Sequence, residues 1–126
     1  MPISYVIDAE RALVTTRWWG AVTDHEVLDH NRMLCADRAF DSHYRQLVDM
    51  TGVTELRITT NLINETARDQ FFEAGTRRAI VASSDAVFGM ARMFALRAES
   101  AGQTIEVFRQ SGPAEAWLGL HSPRKQ

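Results

Sequence analysis

The stretch Gln46-Leu-Val-Asp-Met-Thr-Gly-Val-Thr54 decides how this chain folds. Its apolar half belongs to a run from Tyr44 to Met50 that reads as a strand buried on both faces, as in the interior of a parallel sheet. The polar pair Thr51-Gly52 then predicts a turn. Thr59 and Thr60 follow at the start of a helix-like segment. This order places hydroxyl groups beside free backbone N–H groups, where an anion is stabilised.

Two runs of β-branched and aromatic residues precede this strand. They span residues 3–8 and 12–19, and their close spacing predicts an antiparallel hairpin whose second strand ends at Gly20. A capping-box pattern that begins at Thr23 predicts a helix to about Asp37. The chain is therefore expected to open with two strands and a helix.

Helices and strands alternate after the central strand. A single α/β domain is predicted over residues 1–121, with a frayed tail at 122–126. Its order is β-β-α-β-α-β-α-β-α, with a mixed sheet of about five strands and about four helices. The predicted later elements are a helix from about Thr60, a strand from Arg78 to Ala82, a helix from Ser83-Ser84-Asp85 to about Ser100, a strand from Thr104 to Phe108 and a last helix after Ser111.

The composition is that of an ordinary globular domain. The 126 residues are 45% hydrophobic and 24% charged, and the net charge is −2 with the basic residues scattered. Nucleic acid is therefore not an expected partner. The apolar runs are too short to insert into a membrane, and no secretion signal opens the sequence, so a cytoplasmic location is predicted. Cys35 is predicted to be a buried, unreactive thiol.

Four segments carry a resemblance to a known family. With these segments the chain resembles the STAS-like superfamily of bacterial anti-sigma-factor antagonists, and more closely its SpoIIAA-like branch, also described as STAS/SEC14-like. The resemblance implies a non-enzymatic regulatory or protein-interaction module with a protein partner. The segments are Trp18-Trp19-Gly20, Leu47-Val-Asp-Met-Thr-Gly-Val53, Arg78-Ala-Ile-Val-Ala82 with the following Ser83-Ser-Asp-Ala-Val-Phe-Gly89, and Ala116-Trp-Leu-Gly-Leu120.

The resemblance also implies a switch at the start of the second helix. In the regulatory members, a strand end similar to Asp49-Met-Thr-Gly-Val53 is followed by Asp-Ser-Ser-Gly, whose serine is phosphorylated. The same interval here is Arg57-Ile-Thr-Thr60, which keeps a hydroxyl but loses the acidic residue and the glycine. Thr59 and Thr60 are thus the expected phosphate acceptors, and the alternative is that both only cap the helix. The expected partner-binding residues are Thr51, Gly52, Arg57 and Asn61.

The third helix is apolar on more than one side. Packing on the sheet alone would leave part of it uncovered, so a homodimer partner, a neighbouring helix, an apolar ligand or a fully enclosed core remain open. The side chains expected to mediate self-association are Phe88, Met90, Met93 and Leu96.

Aromatic side chains suggest a second function, the binding of a small apolar ligand or lipid. Trp18 and Trp19 are adjacent on a strand and must point to opposite faces. One of them, with Phe71 and Phe72, is expected to line an apolar pocket. The SEC14-like resemblance points to the same function.

Signals for catalysis, cofactors and metals are absent from the sequence. It has no nucleophile elbow, phosphate loop or glycine-rich dinucleotide turn, so we expect no enzymatic activity and no cofactor. His25 and Asp29 are four residues apart on the first predicted helix and would share a face. Because no third ligand converges on them, no metal site is predicted.

Overall fold

The computed structural model describes residues 2–68 and 71–120, and within them it has the predicted order of elements. The α/β class, the five-stranded mixed sheet and the four helices are thereby confirmed. The predicted tail lies outside the described residues. The strands are β1 (Ile3–Asp8), β2 (Leu13–Thr23), β3 (Arg45–Arg57), β4 (Arg77–Val81) and β5 (Thr104–Phe108), and the helices are α1 (Asp24–Ala36), α2 (Thr60–Arg68), α3 (Asp85–Ser100) and α4 (Ser111–Trp117).

The sheet has the order β1-β2-β3-β4-β5, with β1 antiparallel to β2 and all later neighbours parallel. Helices α1, α2 and α3 pack on one face, and α4 packs on the other. Alternate residues of β4 show this division, since Ile80 joins the cluster under α1–α3 whereas Ala79 and Val81 join the cluster under α4. Within the described residues, none of the helices has the length and apolar character that a membrane crossing requires.

The predicted turn at Thr51-Gly52 is wrong, because β3 continues through it to Arg57. The predicted end of the second strand at Gly20 is wrong for a related reason. Gly20 adopts a φ of 67°, and β2 continues past it to Thr23, so β3 keeps a pairing partner. Two register shifts along this pair accommodate extra residues in β3, as β-bulges do.

Gly52 serves close strand packing and not a turn. A Cβ atom at this position would lie 3.1 Å from Trp19 Cβ and 3.4 Å from the Trp18 carbonyl oxygen. Both atoms belong to the neighbouring strand and cannot move aside independently. The glycine therefore allows β2 and β3 to approach each other beside a bulge.

Helix α1 begins as predicted, but Cys35 does not lie on its buried face. The backbone N–H of Thr23 donates to Glu26 Oε1 at 2.8 Å, which completes the capping box. Val27, His30 and Leu34 are the buried residues of the helix. The next side chain lies about 100° further around the helix, so Cys35 is exposed and the prediction that it is buried is wrong.

Candidate functional site

A cavity of about 90 Å³ lies between the sheet and helices α1–α3. Alternate residues of the strands face the cavity, as Gln46, Val48 and Met50 of β3 do. The volume is well below the roughly 300 Å³ of clefts for drug-sized ligands, so it suits a small molecule. Most of the lining is apolar, as Val48, Ile80 and Ile105 on the sheet and Leu62, Met90 and Phe94 on the helices illustrate.

Arg78 of β4 brings a charged group into the cavity wall. Its Nε donates to Gln46 Oε1 at 3.1 Å, and its Nη1 donates to Gln103 Oε1 at 3.0 Å. On its other side the guanidinium carbon lies 4.3 Å from the centre of the Phe72 ring, a cation–π distance. Three side chains from separate parts of the chain therefore hold the guanidinium.

Both amide partners of Arg78 are buried and are themselves oriented by hydrogen bonds. Gln46 Nε2 donates to Thr16 Oγ1 at 3.0 Å, and Gln103 Nε2 donates to the Phe72 carbonyl oxygen at 3.2 Å. Because each amide nitrogen is engaged elsewhere, each amide oxygen points to the guanidinium. The network pre-organises Arg78.

Within the described residues, Arg78 forms no ion pair, and the side chains that accept its hydrogen bonds are neutral amides. Arg78 keeps some accessible surface and lines the cavity, yet the surrounding protein buries it enough to lower its pKa to about 10. It is thus protonated at neutral pH. A buried charge without a counter-charge is costly, and proteins usually pair it.

His30 is the second titratable group in the lining. Burial, and then the positive charge of Arg78, lower its pKa to about 4, so the imidazole is neutral at pH 7. Its ring meets that of Tyr5 edge-on at 5.6 Å. The indole Nε1 of Trp18, another lining residue, is buried with no acceptor among the described residues. The cavity therefore has a cation in a predominantly apolar wall.

Of the four residues predicted to form an apolar pocket, Trp18 and Phe71 line this cavity. Trp19 does not line it and is 39% exposed. Phe72 is buried in a cluster of aromatic rings and supports Arg78 without lining the cavity. The structure thus brings two of the four residues together at the cavity.

Sequence reasoning missed the polar residues of the cavity. The residues predicted from the sequence to bind a partner or ligand do not include His30, Gln46 or Arg78. A signal was present, since Gln46 and Arg78 each stand two positions before an apolar strand residue, Val48 and Ile80, and share its face. A polar side chain on the inward face of a buried strand indicates either a hydrogen-bond network or a site.

Thr59 caps helix α2. Its Oγ1 accepts from the Leu62 N–H at 3.1 Å and donates to Asp24 Oδ2 at 2.7 Å. The backbone N–H of Thr59 donates to Asp24 Oδ1 at 2.9 Å. A carboxylate at the start of α1 therefore occupies the place beside the α2 N-terminus where an added phosphate would be stabilised. Thr60 is exposed.

The four residues predicted to bind a partner are all exposed on the last part of β3 and the start of α2. The Thr51 hydroxyl donates to Asp49 Oδ1 at 2.7 Å. Arg57 is engaged by Glu55, with contacts of 2.8 and 3.0 Å. Its guanidinium would have to leave this carboxylate to meet another anion.

The residues predicted to mediate self-association are divided between the cavity and the surface. Met90 lines the cavity. Phe88 is half-buried with the Arg109 guanidinium 4.1 Å above its ring, and Met93 is also half-buried. Leu96 is 58% exposed. Of these four residues, Leu96 is therefore the one that is exposed on the surface.

The His25–Asp29 pair forms as the spacing implies, with 3.2 Å between His25 Nε2 and Asp29 Oδ2. Asp29 also accepts from Arg32 at 2.9 Å. Over residues 2–68 and 71–120, no group of three or more His, Cys, Asp and Glu side chains is placed to hold a metal ion. The pair is an exposed side-chain contact on the surface of α1.

The fold is shared with a solved structure. The chain is similar to the crystal structure of an uncharacterised protein from Shewanella loihica PV-4, which belongs to the DUF3478 family and is described as having a SpoIIAA-like fold. The TM-score is 0.59 at 15% sequence identity, and the match covers 92% of this chain and 93% of the other. The predicted SpoIIAA-like resemblance is confirmed at the level of the fold. No family model matches the sequence, and no curated protein matches it significantly.

Proposed function

We propose that this chain, whose fold is SpoIIAA-like, is a non-enzymatic module that binds a small apolar molecule in the cavity under helices α1–α3. The observation that carries this proposal is unfilled space inside a predominantly apolar lining. Protein interiors are usually close-packed, so unfilled apolar space of this size is unusual. A binding role gives a reason for the space to persist.

The lining favours binding over catalysis. The Thr66 hydroxyl donates to the Leu62 carbonyl oxygen at 2.8 Å and so is not poised beside a base. Arg78 is held by amides, and His30 contacts an aromatic ring. Among the described lining residues, no nucleophile is paired with a general base, which a covalent mechanism requires.

Two buried alanines on α3 provide a matched test. Ala91 lines the cavity, whereas Ala98 is equally buried but does not line it. Ala91→Leu should fill the cavity, weaken the binding of butanol, hexanol or octanol about tenfold or more, and change the free energy of unfolding by no more than about 1 kcal/mol. Ala98→Leu should cost about 1–3 kcal/mol by overpacking and leave alcohol binding intact. Ligand-detected NMR and urea denaturation measure the two effects.

The binding proposal fails if none of the three alcohols binds the wild-type protein at millimolar concentration. It also fails if Ala91→Leu binds them as well as the wild type does, because the alcohols would then occupy another part of the surface.

A second role, that of a regulatory module with a protein partner in the cytoplasm, is supported by the exposed segment formed by Thr51, Gly52, Arg57 and Asn61. In this role a phosphate on Thr59 or Thr60 is the switch. At Thr59 it would add nearly two negative charges beside Asp24 and oppose the two hydrogen bonds that Thr59 donates to this carboxylate. Both helices wall the cavity, so the switch would also loosen the binding site.

Intact-mass and peptide analysis of the protein from its own host tests the switch. The regulatory role predicts a fraction with one added phosphate, localised to Thr59 or Thr60. An unmodified chain across growth conditions would contradict the switch while leaving the binding proposal in place.

A further inference from the structure

We propose that the molecule bound in this cavity has a short apolar body and one anionic head group, and that the head group pairs with the guanidinium of Arg78. This inference rests on the proposed function, because it names the chemical class of ligand for the same cavity. Its starting observation is the fixed positive charge of Arg78 in the cavity wall, which an apolar ligand alone does not explain.

The guanidinium of Arg78 is fixed in place and has no carboxylate partner among the described residues. Gln46 and Gln103 hold it through their side-chain oxygens, and the Phe72 ring covers one side. None of the described lining residues is Asp or Glu. The charge is thus oriented by the protein and left without a counter-charge, which is the arrangement expected where a ligand supplies the counter-charge.

Arg78 has donors to spare. A guanidinium carries five N–H groups, and the two bonds to the amides use one on Nε and one on Nη1. Within the described part of the chain, Nη2 donates to no acceptor. The terminal edge formed by Nη1 and Nη2 has the planar geometry that binds a carboxylate or phosphate through two hydrogen bonds.

The rest of the cavity fits the other half of such a ligand. Ile80, Phe94 and Ile105 provide apolar surface, and His30 is neutral at pH 7, so it brings no competing charge. The volume of about 90 Å³ admits only a short body.

The opposite interpretation is that Arg78 is only a structural group and that two amides, an aromatic ring and water are enough to stabilise its buried charge. This interpretation predicts no preference for anions.

The test compares head groups on one chain length. Butanoate, hexanoate and octanoate are titrated against the wild type by calorimetry, each beside the alcohol with the same number of carbons. The proposal predicts that at least one carboxylate binds about tenfold or more tightly than its alcohol, since a charge-assisted bidentate pair replaces a single neutral hydrogen bond. Butyl phosphate is the third head group, and a preference for it over butanol supports the proposal and assigns the head group.

Two neighbouring arginines provide the matched variants. Arg78→Met should remove the preference for the anion and leave alcohol binding intact. The variant leaves the buried side-chain oxygens of Gln46 and Gln103 without this donor, so retained alcohol binding is the readout that the cavity has kept its fold. Arg77→Met is the control, since Arg77 lies outside the cavity with its guanidinium 5.1 Å from the centre of the Trp117 ring; it should keep the full preference. Arg78→Lys keeps the charge without the planar edge and should retain a reduced preference.

Each failure has a distinct signature. Equal binding of carboxylates and alcohols by the wild type, or an anion preference that survives Arg78→Met, overturns this inference and leaves the apolar-ligand function standing. Failure of every probe to bind overturns both. A further variant, Asp69→Asn, tests whether the protein itself supplies a counter-charge, at a position outside the described residues. If this variant binds the anions tenfold more tightly than the wild type, a carboxylate of the protein already neutralises Arg78, and the inference is wrong.

Discussion

Replacing Phe72 with alanine is expected to lower the free energy of unfolding by about 3–5 kcal/mol, as deletion of a fully buried phenyl ring usually does. The side chain is only 1% exposed. Its ring lies 5.2 Å from that of Phe40 and 5.1 Å from that of Phe71, and it supports the Arg78 guanidinium. Urea denaturation at neutral pH measures the loss.

The neighbouring phenylalanine is the matched control for Phe72. Phe71 shares the ring cluster but is only half-buried and borders the cavity. Phe71→Ala should therefore cost about half as much as Phe72→Ala or less. An equal or larger loss for Phe71→Ala would show that the aromatic cluster, and with it the support of Arg78, is not arranged as described.

Acidification from pH 7 to pH 4 is expected to cost roughly 3 kcal/mol of stability through His30 alone. In the unfolded chain a histidine takes up a proton with a pKa near 6.5. In the folded protein, burial and then the charge of Arg78 lower the pKa of His30 to about 4. Between these values the unfolded state binds a proton that the folded state excludes. The stabilisation is therefore complete above about pH 6.5 and is lost as the pH falls towards 4.

The groups around His30 do not reproduce this effect. Arg78 stays charged throughout the window, and Tyr5 stays neutral because its pKa is raised from 10.0. Hydrogen bonds from the Ala39 N–H and the Tyr5 hydroxyl lower the pKa of Asp37, so this carboxylate titrates below the window.

Urea denaturation of two histidine variants across this pH range isolates the contribution of His30. His30→Gln should flatten the loss between pH 6.5 and 4, whereas His25→Gln, an exposed replacement on the same helix, should change it by less than about 0.5 kcal/mol. Identical pH profiles for the wild type and His30→Gln would contradict a buried neutral imidazole.

The order of elements could be predicted from the sequence because each apolar run is local and its period is distinctive. The end of β3 could not be predicted in this way. Thr51-Gly52 has the composition of a turn, yet the partner strand runs on past Gly20 and keeps it extended. Strand length here depends on non-local pairing and on bulges, which no local window records.

The candidate site was predictable only in its apolar part. Trp18 and Phe71 could be proposed as pocket residues because large aromatic side chains are informative one at a time. The role of Arg78 depends on Gln46 and Gln103, which lie 32 and 25 residues away in the sequence. Such a network exists only once the sheet has formed.

Methyl chemical shifts during a butanol titration test the cavity most directly. We expect saturable shifts at Ile80, Met90 and Ile105, which line the cavity, and their loss in Ala91→Leu. Met33 is 54% exposed and outside the cavity, so its methyl group should not respond. Shifts confined to surface residues such as Met33, or shifts that rise linearly without saturation, would contradict a binding site in this cavity.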